Sequence, residues 1–432
     1  MMLPKDFSDY TATLFGDARW QRYLASFDEP TPISIRVNPF KVAYHRADDA
    51  MGGNACKPPT SSLPAIAPLL GRNVPWCRDA WWLSSRPQFT LDPLLHAGAY
   101  YVQEAGSMFL DTVLRQYVTS PITMLDLCAA PGGKSTLARA ALPPGSLLFS
   151  NEPDKRRANI LTENLIKQGH PEIIVTSNYA RDYARSRLTF DVVLADVPCS
   201  GEGLFRRDNS TISEWSIQNV MKCQNLQREI VCDIWPSLKP GGMFIYSTCT
   251  FNTHEDEENI LFICENLGAE ILTVNTDPSW NISGSMMEGF DYPVYRFVPG
   301  MTASEGLFMC IMRKHGDISQ DTPDKQRSIK QSRGLNIIYD GVPHPTYKGK
   351  AIIPDHAEAL LIDRNDTYPC IELSLDEALA YLHHEAIILP PDAPRGHIIV
   401  THCGMPLGFV KNLGTRANNL YPKEWAIRMA VV

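Results

Sequence analysis

Two cysteines stand where strand-like runs give way to irregular chain, in Asp196-Val197-Pro198-Cys199-Ser200-Gly201 and in Tyr246-Ser247-Thr248-Cys249-Thr250, downstream of a glycine loop, Cys128-Ala129-Ala130-Pro131-Gly132-Gly133-Lys134-Ser135. One thiolate can attack a ring carbon while a second group handles the proton that must later leave, so the pair points to covalent catalysis on a pyrimidine. Cys223, Cys232, Cys264 and Cys310 fall in helical or strand-like runs and read instead as small buried apolar residues.

Between about residue 120 and residue 315, short apolar runs alternate with amphipathic stretches, the pattern of a parallel sheet with crossover helices. The strand-like runs are 124–128, 146–150, 173–176, 191–195 and 243–246, with helices expected over 155–168 and 224–238. In such a sheet the C-terminal strand ends surround one crevice, so Asp196, Cys199 and Cys249 should face the same ligand space.

The glycine loop follows the first of these strands and opens a helix, which lets backbone amides approach a ligand closely. A phosphate loop requires Gly-x-x-x-x-Gly-Lys-Ser, but Cys128 occupies its first glycine position, and Gly-x-Gly-x-x-Gly is absent. The remaining reading is an S-adenosyl-L-methionine loop formed by Cys128, Ala129, Ala130, Pro131, Gly132, Gly133 and Lys134. Glu152, ending the second strand, is placed for the ribose hydroxyls ahead of Asp154, its alternative being a helix-start charge. Asn178, ending the third, is placed for the adenine edge or is a turn residue. Asp196 would bind the cofactor's amino group or the base edge. Lys134 would orient the base or nearby carboxylates.

The blocks Leu125 to Lys134, Asp196 to Gly203 and Tyr246 to Thr250 resemble the Nop/Sun family of RNA cytosine-5 methyltransferases. Arg206-Arg207-Asp208, Arg296-Phe297-x-Pro299 and Glu305-Gly306-x-Phe308 narrow the resemblance to its RsmF-type ribosomal RNA branch. Tyr100 to Glu104 belongs to the likeness, and Leu407 to Lys411 with Asn418-Asn419-x-Tyr421-Pro422 is similar to the C-terminal RNA-binding module of some members. The resemblance implies that Cys249 is the nucleophile and that Cys199 assists release. Two positions depart from the family pattern: Val197 replaces an alanine, and Asn178 stands near a usual acid.

The expected fold class is therefore α/β: a Rossmann-like S-adenosylmethionine-dependent methyltransferase domain, an N-terminal α+β region and a small C-terminal PUA-like RNA-binding module. The expected boundaries are 1–115 for the N-terminal RNA-recognition region, 116–315 for the catalytic domain, 316–334 for a linker and 335–432 for the C-terminal module. The linker rests on a polar, proline-broken run after Lys314. The expected partner is RNA, ribosomal ahead of transfer RNA. A catalytically silent RNA-binding assembly factor is the rival from another class, opposed by the presence of both cysteines, Glu152 and Asp196.

With 432 residues, 44% hydrophobic and 20% charged, the chain is long enough for two or three globular domains. It has no apolar run of ~20 residues and no apolar signal core near Met1, so a cytoplasmic monomer without a membrane segment is expected. Eleven cysteines without a Cys-x-x-Cys pair read as reduced thiols, with no metal site. The net charge of −8 confines RNA contacts to local patches, for which Arg206-Arg207, Arg296, and Lys411 with Arg416 are candidates.

Overall fold

The computed structural model describes residues 3–42, 62–318, 321–349, 351–364 and 367–430. The chain opens with helices α1 (Lys5–Phe15) and α2 (Asp17–Ala25). Strands β1 (Ser34–Val37), β2 (Leu70–Asn73), β3 (Ala80–Leu83) and β4 (Tyr100–Val102) then form an antiparallel sheet in the order β2-β3-β1-β4. Helices α3 (Pro93–His96) and α4 (Leu110–Tyr117) complete this part.

The catalytic domain alternates strand and helix: β5 (Thr123–Asp126), α5 (Gly133–Ala141), β6 (Leu147–Asn151), α6 (Lys155–Gln168), β7 (Ile173–Thr176), α7 (Ala180–Tyr183) and β8 (Phe190–Asp196). It continues through α8 (Asn209–Glu214), α9 (Ile217–Ile234), β9 (Leu238–Thr248), α10 (Glu257–Leu267), β10 (Ala269–Ile271), β11 (Tyr295–Phe297) and β12 (Leu307–Lys314). Strands β5 to β9 pair in parallel in the order β9-β8-β5-β6-β7, and β12 adds antiparallel to β9. The central strands are buried on both faces, which is why they read as unbroken apolar runs. Order reverses at β5, between β6 and β8, and a doubly wound sheet opens its ligand crevice at the C-terminal ends of the strands at that point.

The segment expected to be a linker is not one. Helix α11 (Lys325–Gln331) is capped by the Asp324 side chain, and β13 (Ile337–Tyr339) joins the catalytic sheet antiparallel to β7. Ile329, Leu335 and Ile337 pack against the catalytic core. Widely spaced apolar residues in a polar stretch were enough to dock it, so the expected boundary near 335 falls between α11 and a strand of the catalytic sheet.

Beyond it lie the hairpin β14 (Thr346–Lys348) and β15 (Ala351–Ile353), helix α12 (His356–Leu360), and the sheet β16-β17-β18-β19. That sheet is formed by Cys370–Glu372, Gly396–His402, Met405–Asn412 and Ala417–Asn419, with helix α13 (Leu375–Leu382) between its first two strands. Its core is shared: Leu379, Tyr381, Leu382 and Leu407 lie in one cluster with Ile35, Val37, Leu94 and Tyr100 of the N-terminal sheet. The two regions flanking the catalytic domain thus bury apolar surface against each other.

Candidate active site

The glycine loop joins β5 to α5 at the crevice. Gly132 has a φ of 114°, a conformation that favours glycine, and a Cβ at Gly133 would stand 3.3 Å from the Tyr101 ring, so the loop lies flat against β4. Asp126 at the end of β5 accepts a hydrogen bond from Ser135 Oγ (2.7 Å), and burial pushes its carboxyl up to about 7. A cavity of about 340 Å³ opens here, bordered by Cys128 to Pro131, Gly133, Lys134, Asp196, Arg207, Cys249 and Glu305.

Glu152 directly follows β6 and is 2% exposed. Its Oε1 accepts from the Asp154 amide (3.1 Å), Oε2 has no hydrogen-bond partner, and Arg157 stands 3.4 Å away. A buried carboxylate oxygen that is ion-paired with Arg157 but accepts no hydrogen bond fits a pair of ribose hydroxyls, each of which can donate to it. The helix-cap alternative belongs to Asp154, whose side chain accepts from the amides of Arg156 and Arg157.

Asn178 does not have the free carboxamide that an adenine contact would use. Its Nδ2 donates to the Asn336 carbonyl (3.2 Å) and its Oδ1 accepts from the Asn336 amide (2.9 Å). It clamps the segment ahead of β13 to the sheet, a partner 158 residues away that local sequence does not reveal.

The two cysteines meet. Cys199 Sγ and Cys249 Sγ lie 3.1 Å apart, and the Cys249 amide points to Cys199 Sγ at 3.3 Å. Cys249 borders the cavity, and both cysteines are half-buried. The hydrogen bond to Cys249, followed by burial, pushes the Cys199 thiol well up. Lys134 Nζ bonds Asp196 Oδ2 (2.8 Å), and Ser247 Oγ donates to Asp196 Oδ1 (2.6 Å). Burial works against the Lys134 charge, but Asp196 outweighs it and Cys249 adds to the attraction, so the ammonium is held. Lys134 and Cys249 border the same cavity.

The sequence reading missed the groups that hold these loops. Glu202 accepts from the amides of Phe251 (2.7 Å) and Asn252 (3.1 Å), just beyond Cys249. Glu255 accepts from the Ser200 amide (3.0 Å) and from Gln227 (2.7 Å), just beyond Cys199, and burial pushes it up to about 7. Gly203 packs on Gly306 and donates its amide to the Cys249 carbonyl (2.8 Å); a Cβ on Gly306 would sit 2.7 Å from Gly203 Cα. The Gly-Glu-Gly and Glu-Gly strings were the available signal for this close approach. From the N-terminal region, Phe7 stacks edge-on against Phe205 and Trp215, and Phe15 against Phe251, so α1 braces both cysteine loops.

Two surface expectations fail, and one burial expectation with them. Arg296 is fully buried and paired with Asp256 (2.9 Å) and Glu257 (2.8 Å), and Arg206 is buried against Glu305 (3.4 Å), so neither is an RNA-facing cation. Arg207 does border the cavity. Cys232 is exposed, because the buried stripe of α9 runs through Val220, Gln224, Gln227, Val231 and Ile234 and leaves Cys232 outside. Cys310 is buried, while Cys223 and Cys264 are half-buried.

The family model for 16S rRNA methyltransferase RsmB/F matches residues 118–313, flanked by those for the N-terminal domain of 16S rRNA methyltransferase RsmF over 3–105 and for the methyltransferase RsmF PUA domain over 368–427. The chain belongs to the RsmB/F methyltransferase family. As a member it takes S-adenosylmethionine as its cofactor, and the residues around the glycine loop fit that group. Its relatives include ribosomal RNA small subunit methyltransferase F of Shewanella oneidensis, 26% identical over 456 residues, with 93% of this chain and 92% of that protein covered. The enzyme of the same name from an Enterobacter species is 27% identical over 457 residues, covering 93% and 91%. Among solved structures, a methyltransferase homolog protein from Pyrococcus horikoshii aligns at TM-score 0.58 and 24% identity, covering 72% of this chain and 95% of that one. NSun6 from the same organism, solved with SFG, aligns at 0.59 and 18%, covering 73% and 99%; both share the fold. Among the described residues of this RsmB/F chain, no helix is long and apolar enough to cross a membrane.

Proposed function

We propose that this RsmB/F enzyme methylates carbon 5 of a cytidine in small-subunit ribosomal RNA through a covalent adduct to Cys249, acting as a cytoplasmic monomer. The observation that carries this is the sulfur pair, 3.1 Å apart, with Cys249 on a cavity that also holds Lys134 and Asp196. Carbon 5 of cytosine is a weak nucleophile. A Cys249 thiolate adding to carbon 6 pushes electron density onto carbon 5, the atom to be methylated. Bound S-adenosylmethionine supplies the electrophilic methyl group; the loop from Cys128 to Lys134, with Glu152, would hold it. Asp196, ion-paired with Lys134, accepts from the exocyclic amine of the base. Release requires loss of the carbon 5 proton to a base and cleavage of the carbon 6–sulfur bond. Cys199, hydrogen-bonded to the departing sulfur, steadies the negative charge it regains.

The target must be unpaired or flipped out to enter the cavity. In this reading residues 1–115 and the PUA domain recognise RNA around the catalytic domain, with the exposed Arg416 and the half-buried Lys411 at one hairpin of the C-terminal sheet. Because that sheet shares its core with the N-terminal one, RNA contacts there are better tested by charge substitution than by truncation.

Bisulfite sequencing of total RNA from a deletion strain is the direct test. Loss of one protected cytidine in 16S rRNA, restored by the gene, is the expected result; loss in transfer RNA would move the substrate, and no lost site would refute the activity. The cofactor reading has its own expected outcome. Glu152→Ala removes charge-assisted bonds to the ribose and should weaken S-adenosylmethionine binding by about 1.5–3 kcal/mol, roughly ten- to a hundredfold, in calorimetry. Unchanged affinity would leave Glu152 without a ligand role.

A further inference from the structure

A second cavity, of about 190 Å³, lies where β1 and β4 meet α5 and α6, and nothing in the catalytic reading uses it. Tyr101 and Val102 line both it and the catalytic cavity, so the two are neighbours across one wall. The volume is that of about six waters at ~30 Å³ each, well beyond a packing defect.

Its lining carries polar groups with capacity left over. Arg36 is 3% exposed; its Nε donates to Gln103 Oε1 (3.2 Å) and its Nη2 to Thr136 Oγ1 (2.6 Å). Among the described residues no carboxylate forms an ion pair with it, and Nη1 is left for another acceptor. Gln168 is 5% exposed; its Nε2 donates to the Thr136 carbonyl (2.6 Å), while its Oε1 is buried without a partner. Buried polar atoms in native folds are satisfied, so a leftover donor on the lining and a leftover acceptor on Gln168, whose side chain borders the same cavity, call for a ligand that presents the complement of both.

A phosphate matches only the guanidinium, because the other cation on the lining, Lys167, is already paired with Glu163, and the carboxamide oxygen would repel it. The Watson–Crick or Hoogsteen edge of a nucleobase offers an acceptor and a donor side by side, and Leu95, Val102, Tyr100 and Tyr101 supply apolar and aromatic walls for its faces. We propose that this cavity receives an unstacked nucleobase of the RNA substrate, one or two nucleotides from the target cytidine, read by Arg36 and Gln168. This rests on the RNA reading above. It makes the N-terminal sheet a reader of sequence beside the target, with Tyr101 separating the two extruded bases.

The test uses an RNA oligonucleotide that presents the modified cytidine in a loop, with an abasic replacement at each of the two nucleotides on either side. In the unaltered enzyme one replacement should raise KM for RNA roughly tenfold, with kcat and S-adenosylmethionine affinity unchanged. Leu95→Trp, which fills the cavity, should raise KM to the same extent, and the sensitive abasic replacement should then cost nothing further. No sensitive flanking position in the unaltered enzyme overturns the proposal. So does a Leu95→Trp protein that melts as the original does yet keeps its KM, and so do losses that add. The abasic scan needs no variant, so it decides the matter even where Leu95→Trp does not fold. Failure of the unaltered enzyme to methylate any cytidine overturns the RNA reading itself, and this occupant with it.

Discussion

Cys249→Ala protein, mixed with substrate RNA and S-adenosylmethionine, is expected to form no covalent protein–RNA species and to be inactive, while still binding the cofactor. Cys199→Ala is expected to behave differently. Cys249 remains at the cavity wall near Lys134, so attack on carbon 6 and methylation proceed, but the departing sulfur has lost its hydrogen-bond donor. The adduct should therefore accumulate and survive denaturing electrophoresis, with turnover reduced by roughly 10²–10⁴, the usual worth of a placed proton donor. The expected asymmetry follows from position, because Cys249 borders the cavity that also holds Lys134 and Asp196. An adduct in Cys249→Ala with none in Cys199→Ala would exchange the roles. Adduct in neither, with full turnover in both, would refute covalent catalysis by this pair.

The parts of this arrangement that were legible in the sequence are those set by local pattern. Apolar runs of four to seven residues marked the parallel strands, and because such strands end at one crevice, Asp196, Cys199 and Cys249 could be brought together without any knowledge of contacts. The glycine loop was legible for a similar reason, since backbone conformation at Gly132 restricts residue type. What escaped depends on partners far along the chain. Arg206 and Arg296 look like surface cations until Glu305 and the Asp256–Glu257 pair are folded onto them, 99 and about 40 residues away. Asn178 resembles a strand-end ligand until Asn336 arrives. The segment from 316 to 334 has the composition of a linker, yet a few apolar side chains dock it. Nor does composition reveal that the first and last regions share a core, because each alone has enough apolar residues to suggest a core of its own.

The buried Arg296 leads to the largest stability effect expected outside the cysteines. Its guanidinium bonds Asp256 Oδ2 (2.9 Å) and both oxygens of Glu257 (2.8 and 2.9 Å), all three side chains being fully shielded from water. Burial pushes the Asp256 carboxyl well up even with Arg296 beside it; for Glu257 burial acts in the same direction, but the pairing prevails and holds it down. The cluster is therefore one guanidinium shared between two buried carboxyls. Arg296→Met keeps much of the volume but leaves Glu257 buried without its counter-charge. Removing one partner of such a pair costs about 3–5 kcal/mol, a large part of the ~5–15 kcal/mol that keeps a domain folded. Urea denaturation should show the midpoint fall accordingly, and the triple variant Arg296→Met with Asp256→Asn and Glu257→Gln should recover part of it, because the uncompensated charge is gone. Activity should not recover in the triple variant. Thr248 Oγ1 donates to Asp256 Oδ1 at 2.7 Å, so the carboxyl anchors the residue directly before Cys249, and an amide in its place can turn its NH₂ toward that hydroxyl. Arg296→Met with an unchanged urea midpoint would mean that the cluster is not closed as described; a triple variant restored in both stability and turnover would mean that Asp256 does not position the nucleophile.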